Sequence, residues 1–235
     1  MSHSPCITPL PRETTDSQTR TSLFISRCSN PGFRHGLLAE NPRLQLSLHS
    51  GNTEEIVQLL LQDKVSIGLI EGPSGEQGVR TEPFMQDELV LITPPDFVSD
   101  RLSRYQLVAS NLLMREQGSG SRRVVEGALE KAGVALKSFK NVMDLDSTEA
   151  IKSSVEAGLG IGFVSRWAIS KELELGALKV VEVDGIKVAR HFSLAFRAGP
   201  EPQGTVAAFR TFALERARLL TSGSSKPLRS GSSSR

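Results

Sequence analysis

LLMREQGSGSRRVVEGALEKAG (112–133) decides how the rest of the chain is read. Leu112–Met114 is a short apolar run that reads as a strand. Arg115–Arg123, REQGSGSRR, is a turn of glycines, hydroxyls and arginines. Val124 onward has the apolar spacing of a helix, predicted over Ser121–Ala132 and ended by Gly133 as the residue past its C-terminus. Strand, glycine-rich turn and helix in that order are the repeating unit of an α/β fold. The turn has chemical content too. At the helix start the backbone N–H groups have no partner within the helix, and the dipole favours negative charge. Ser119 and Ser121 add hydroxyls, Arg115 and Arg122 add charge, and Gly120 lets a ligand approach the backbone.

Outward from that unit the same alternation continues. LQLSLH places Leu44, Leu46 and Leu48 on one face and reads as a strand. Ser50-Gly51-Asn52 turns the chain, and Asn52 with Glu55 forms a capping box for a short helix whose buried face is Ile56, Leu59 and Leu60. VSIGLI (65–70) is an apolar strand closed by Glu71-Gly72-Pro73, and DELVLITPP (87–95) is another, stopped by two prolines. NVMDL is strand-like. Asp146 is the expected N-cap of a helix reaching Ala157, with Glu149 completing the box and Ser147 and Thr148 left to face a ligand. LGIGFVS is a strand, SRWAISKEL a helix, and LKVVEVD and RHFSLAFR are strands. A last helix carries Val206, Phe209, Phe212, Ala213 and Leu220 on one stripe. The expected fold is α/β with mostly parallel sheets, and no internal repeat is visible.

The two ends differ. MSHSPCITPLPRETTDSQTR (1–20) is rich in Ser, Thr and Pro, and TSGSSKPLRSGSSSR (221–235) is Ser/Gly-rich and basic; both are expected to be disordered. The overall charge is +2. Residues 1–40 hold four Arg and three acids, and 221–235 hold three basic residues and no acid, so 41–220 is net −2. That argues against a nucleic-acid-binding face in the central part. The two cysteines, Cys6 and Cys28, form neither a disulfide framework nor a metal cluster. No apolar run is long enough to span a membrane and no signal peptide opens the chain, so the expected location is the cytoplasm.

Enzyme chemistry finds no support. His3, His35, His49 and His191 have no catalytic partner nearby in sequence. Gly118-Ser119-Gly120-Ser121-Arg122 has the spacing of neither a nucleophile elbow nor a P-loop. No metal-ligand spacing occurs. The expectation is therefore a binding protein without a cofactor. In an open α/β sheet, ligands lie at strand C-terminal ends beside helix N-termini. The loop 115–122, Ser147-Thr148, Gly51-Asn52-Thr53 and Glu71-Gly72 meet that description and point to a cleft between two lobes.

GNTEEIVQLLLQDKVSIGLIEGP, DELVLITPP, REQGSGSRRVVEGALEKAG and LDSTEAIKSSVEAGLGIGFVS, in this order, closely resemble the effector-binding domain of LysR-type transcriptional regulators across roughly residues 31–220. The resemblance implies a two-lobed fold of the type-2 periplasmic-binding-protein kind, each lobe a mostly parallel sheet flanked by helices. Lobe I is expected over about 31–96 and 198–220, lobe II over about 97–197, with crossing segments near 93–97 and 195–200. It implies a small organic anion, a carboxylate or similar, in the interlobe cleft. By the matching motifs Ser119, Gly120, Ser121, Ser147 and Thr148 would line one side, and Asn52, Glu71 and Gly72 the other; the loops themselves add Arg115 and Thr53 as ligand-binding residues. It also implies oligomers, either of this chain or with full-length relatives, and no membrane partner.

Family members begin with a winged helix-turn-helix and a dimerising linker helix. Residues 1–30 lack helical apolar periodicity and are broken by Pro5, Pro9 and Pro11, so neither element is expected there. DNA binding would then require a winged helix-turn-helix from elsewhere, and the expectation is a truncated or frame-disrupted product. The family's opening strand has no clear counterpart, with TSLFISRCS (21–29) as its substitute, while Pro31, Phe33, Leu37 and Pro42 fit its first helix. A solute-binding protein for transport shares the fold and is the rival reading; it would need a secretion signal or lipid anchor.

Overall fold

The computed structural model describes residues 21–25, 46–72 and 74–223, with 21–25, 46–49 and 220–223 described by their backbone alone. The arm expected over 1–30 lies outside the described residues except for 21–25, which form a strand, and the first helix at 31–42 and the tail beyond residue 223 also lie outside them.

The elements follow the expected alternation. Strand β1 (Thr21–Ile25) and β2 (Leu46–His49) precede helix α1 (Thr53–Leu61) and β3 (Ile67–Glu71). The long β4 (Val79–Thr93) leads to β5 (Arg101–Leu102), α2 (Arg104–Val108), β6 (Asn111–Arg115), α3 (Gly120–Lys131) and β7 (Asn141–Leu145). Then come α4 (Thr148–Glu156), β8 (Ile161–Ser165), α5 (Ser170–Glu174), β9 (Lys179–Val183), the long β10 (Val188–Arg197) and α6 (Gly204–Gly223).

The sheet runs β2-β1-β3-β10-β4-β8-β6-β7. β1 pairs in parallel with both β2 and β3. At the other end β6 pairs in parallel with β7 and β8. Between these parallel ends, β4 and β10 run antiparallel to each other from Val188↔Leu89 to Arg197↔Val79. β3 meets β10 over Phe192–Ala195, whereas β8 meets β4 over Leu89–Ile92. The same two strands thus serve first one lobe and then the other, and the change of partner falls mid-strand. Expected crossings near 93–97 and 195–200 instead mark where these strands end. The pairing steps from Phe192↔Met85 to Ser193↔Pro83, so Phe84 is an extra residue at that point. Pro83 has no N–H to give to a ladder, which suits it to such an irregularity. TSLFI joins the sheet as the innermost parallel partner of β3, so the sheet begins ten residues before the domain limit expected at 31.

Each lobe packs helices on both faces. In β4, Leu89 and Leu91 pack with Met114, Phe163, Val125 and Leu129 on the α3 side. The alternate Val90 and Ile92 pack with Leu113, Val164, Ile151 and Val155 on the α4 side. In the other lobe, Ile67, Leu69, Leu194 and Phe196 meet Phe209, Phe212 and Ala213 of α6. Ile70 and Ala195 meet Ile56 and Leu60 of α1 on the opposite face. Each such aliphatic or aromatic side chain contributes about 1.5–3 kcal/mol on burial. Ion pairs Arg210–Glu82 (2.6 Å) and Arg80–Glu201 tie the α6 region to β4.

Two local expectations change. Ser147, not Asp146, is the N-cap of α4, and its hydroxyl accepts from Ala150 N at 3.2 Å. SRWAISKEL is not one helix: a 3-10 turn at Arg166–Ala168 precedes α5. The Ser165 hydroxyl accepts from Trp167 N at 3.2 Å, which caps the turn and breaks the run.

Candidate functional site

The two lobes meet where the N-terminus of α3 faces the C-terminal end of β3 and the start of α1. The approach is close enough to require glycine. A Cβ on Gly120 would lie 1.7 Å from the Glu71 carbonyl oxygen and 2.5 Å from Thr53 Oγ1. Gly72, at φ 107°, would place a Cβ 3.1 Å from the Gly120 carbonyl oxygen. Glu54 N donates to the Gly118 carbonyl at 3.2 Å across the same seam. Asn52 caps α1 through the expected reciprocal box with Glu55, and its amide lies 3.3 Å from where a Gly118 Cβ would be.

Under that seam lies a buried polar cluster joining residues from both lobes and both crossing strands. Ser121 donates to Glu71 Oε2 at 2.8 Å. Arg190 Nη1 donates to Ser121 Oγ at 2.6 Å and to Glu71 Oε2 at 3.1 Å, while Arg190 Nε donates to Asp87 Oδ2 at 2.6 Å. Ser165 donates to Asp87 Oδ1 at 2.9 Å. The Arg190, Asp87 and Glu71 side chains are 1%, 0% and 3% exposed. The guanidinium also stacks over the Phe192 ring at 4.9 Å. Two carboxylates thus share one buried arginine, and charges buried to this depth persist only when paired and hydrogen-bonded.

The structure therefore brings together Asn52, Thr53, Glu71, Gly72, Gly120 and Ser121. Ser119 is the buried N-cap residue of α3 but makes no side-chain capping bond. Ser147 spends its hydroxyl on its own helix, and Thr148 is buried in the first turn. Their loop nonetheless follows the strand next to β6: Arg115 aligns with Leu145, and Glu116 N donates to Leu145 O at 2.9 Å. The two expected cations turn inward. Arg115 pairs with Glu116 at 2.8 Å, and Arg122 bonds Asp144 at 2.6 Å, Glu126 at 2.7 Å and the Arg115 carbonyl at 2.7 Å. Burial opposes the charge on Arg122, but its bonds to Asp144 and Glu126 outweigh it and hold the guanidinium above its ordinary value.

A buried cation at the seam is Arg190, inside RHFSLAFR and not among the expected ligand-facing positions. Its signal was present: Arg190 occupies a core-facing position between Val188 and Phe192, as Asp87 does at the start of DELVLI. Charged residues at such positions are almost always paired.

Residues 31–218 match the family model for the LysR substrate binding domain. The chain belongs to that family. As a LysR substrate-binding domain it is 37% identical over 153 residues to the HTH-type transcriptional regulator YeiE of Escherichia coli (strain K12), covering 64% of this chain and 50% of that protein. It is 34% identical over 175 residues to the RuBisCO operon transcriptional regulator of Allochromatium vinosum, covering 73% of this chain and 57% of that one. The chain spans about half the length of these relatives. Among solved structures, the regulatory domain of Synechocystis PCC6803 CcmR in complex with 2-PG superposes with a TM-score of 0.75 at 22% identity, over 85% of this chain and 97% of that one. The effector-binding domain of QuiR in complex with shikimate gives 0.73 at 16% identity, over 86% and 99%. These likenesses establish the LysR regulatory-domain fold, two lobes of the type-2 periplasmic-binding-protein kind. Among the described residues, no helix is long and apolar enough to cross a membrane.

Proposed function

We propose that this chain is the sensing part of a transcriptional regulator, binding a small organic anion between its lobes and passing the event to a DNA-reading module. The carrying observation is the seam itself. Ser121 at the start of a 12-residue helix and Arg190 on a crossing strand both point to one carboxylate position, reached from lobe I by Glu71. Charge-assisted hydrogen bonds of that kind contribute about 1.5–3 kcal/mol each. The relatives that are transcriptional regulators, and the solved domains holding 2-PG or shikimate, support the ligand class and the role. The sensing unit is residues 31–220, extended at its start by Thr21–Ile25, and its lobes meet at the middle of β4 and β10. It works in the cytoplasm without a cofactor, carries out no catalysis, and assembles with copies of itself or with full-length relatives. Asn52, Thr53, Glu71 and Gly72 on one lobe, and Ser119, Gly120, Ser121, Ser147 and Thr148 on the other, line the ligand position, with Arg115 behind them, turned inward onto Glu116.

Calorimetric titration with a panel of small organic acids tests this. Heat is expected from at least one acid, with affinity falling about tenfold or more in Ser119→Ala, the loss of one or two such bonds. Heat from none, on protein folded by circular dichroism, overturns the reading.

A further inference from the structure

Glu71 is a carboxylate already in place at the start of a helix, on a serine and an arginine, between two lobes. Its Oε2 takes both the Ser121 hydroxyl (2.8 Å) and Arg190 Nη1 (3.1 Å). The other carboxylate in the cluster, Asp87, takes Arg190 Nε and the Ser165 hydroxyl instead. Among the described residues these donors are divided between the two acids: Asp87 takes Arg190 Nε, and Glu71 shares Arg190 Nη1 with the Ser121 hydroxyl of α3. An acid arriving from solvent would find one guanidinium already facing two carboxylates. A third negative charge there, out of water, is repelled by both.

We infer that Glu71 is a built-in substitute for the ligand's acid group: its carboxylate occupies Ser121 and Arg190, and an external carboxylate reaches them only by displacing it. The ligand class rests on the function proposed above, but the occupancy rests on the cluster alone. The position of Glu71 makes the exchange mechanical as well as chemical. It is the last residue of β3, its carbonyl touches Gly120, and Gly72 after it has the positive φ that lets the chain turn away. Displacing the carboxylate from Ser121 undoes a side-chain bond between the lobes while Asp87 keeps Arg190 anchored. The same residue thus sets which ligands enter, since an acid must out-compete an intramolecular one, and couples entry to separation of the lobes at that point.

The test is replacement of the missing group from solution. In Glu71→Ala, sodium formate or acetate is expected to raise the thermal midpoint in a saturable way beyond sodium chloride at equal ionic strength. Wild type should not respond, and Ser121→Ala added to Glu71→Ala should abolish the response. Equal midpoints in formate, acetate and chloride for Glu71→Ala overturn the proposal, as does an equal response of wild type. Should Glu71→Ala not fold, Glu71→Gln keeps the volume and removes the charge. It is expected to bind acetate about tenfold or more tightly than wild type by NMR titration, the scale of one charge-assisted bond, and unchanged affinity overturns the proposal. The sensing function is judged separately: formate uptake by Glu71→Ala with no organic acid bound by wild type would remove the proposed ligand class and leave the role of Glu71 standing.

Discussion

Gly120 and Glu71 touch through backbone alone: the carbonyl oxygen of Glu71 stands 1.7 Å from where any side chain on residue 120 would begin. Neither partner is the far end of a flexible side chain, so any larger residue at 120 must move one lobe. Gly120→Ala is expected to destabilise by at least about 1–3 kcal/mol, the scale of overpacking a closed contact. Gly127, in the same helix, has open space at its Cβ position. Gly127→Ala is expected to stabilise by about 0.5–1 kcal/mol through helix propensity. Urea unfolding of the two variants checks both signs.

The final helix is held by its apolar stripe more than by its ion pairs. Phe209 is buried among Ile67, Leu69, Leu194 and Phe196. Phe209→Ala is expected to cost about 3–5 kcal/mol. Its neighbour Arg210 makes two bonds to Glu82, at 2.6 and 2.9 Å, but both side chains are about a third exposed. Arg210→Ala should change stability by no more than about 1 kcal/mol. A larger loss for Arg210→Ala than for Phe209→Ala in urea titrations would reverse this ranking.

Lys152, on α4, bonds Glu172 at 2.7 Å and the Ala168 carbonyl at 3.0 Å. Burial opposes the charge on Glu172, but the Lys152 hydrogen bond, a backbone hydrogen bond and the nearby lysine charges outweigh it, so its carboxyl is held below the usual range. A group with a depressed folded-state pKa adds stability above its unfolded value, and that stability is lost as pH falls through the folded value. Lys152→Met should therefore be less stable than wild type at neutral pH, with the gap narrowing below about pH 4.3. Urea unfolding from pH 3 to 7 measures it, and a constant gap would contradict it.

Charge along the chain bears on DNA. Residues 41–220 are net −2, and the basic excess lies in 1–40 and 221–235. The 235-residue polypeptide is expected to bind duplex DNA weakly and with strong salt dependence. Fluorescence anisotropy at low and physiological salt is the measurement, and tight binding to one duplex at physiological salt is the contrary result.

Elements set by neighbouring residues were legible in the sequence. The Asn52–Glu55 box, the α3 C-terminus at Gly133 and the alternating faces of β4 at Leu89–Ile92 each need only a few residues of context. Asp146 and Ser147 are both capable caps, and local sequence does not choose between them. The first half of β4, VRTEPFMQ, is polar and carries Pro83, so it hides as a strand until its partner β10 is known. The buried cluster was the least legible. Arg190 is separated from Asp87 by 103 residues and from Glu71 by 119, and pairs at that range leave no local pattern beyond a charge on a core-facing position. Glu71 and Ser121 stand at a strand end and a helix start, the places where ligand-facing residues are expected, and in the structure they bond each other.

The ladder between β4 and β10 has a mechanical meaning. Ten consecutive residues of β10, Val188 to Arg197, are matched to β4 along the strap that serves both lobes. Sliding one lobe past the other would shift that register and expose rows of amide groups, whereas twisting or bending the strap keeps every match. A ladder of this kind opposes shear more than torsion, and its regular pairing is interrupted at the step between Phe192 and Ser193. Arg190 sits two residues from that step, so a change of partners at its guanidinium would act beside the interruption in the ladder.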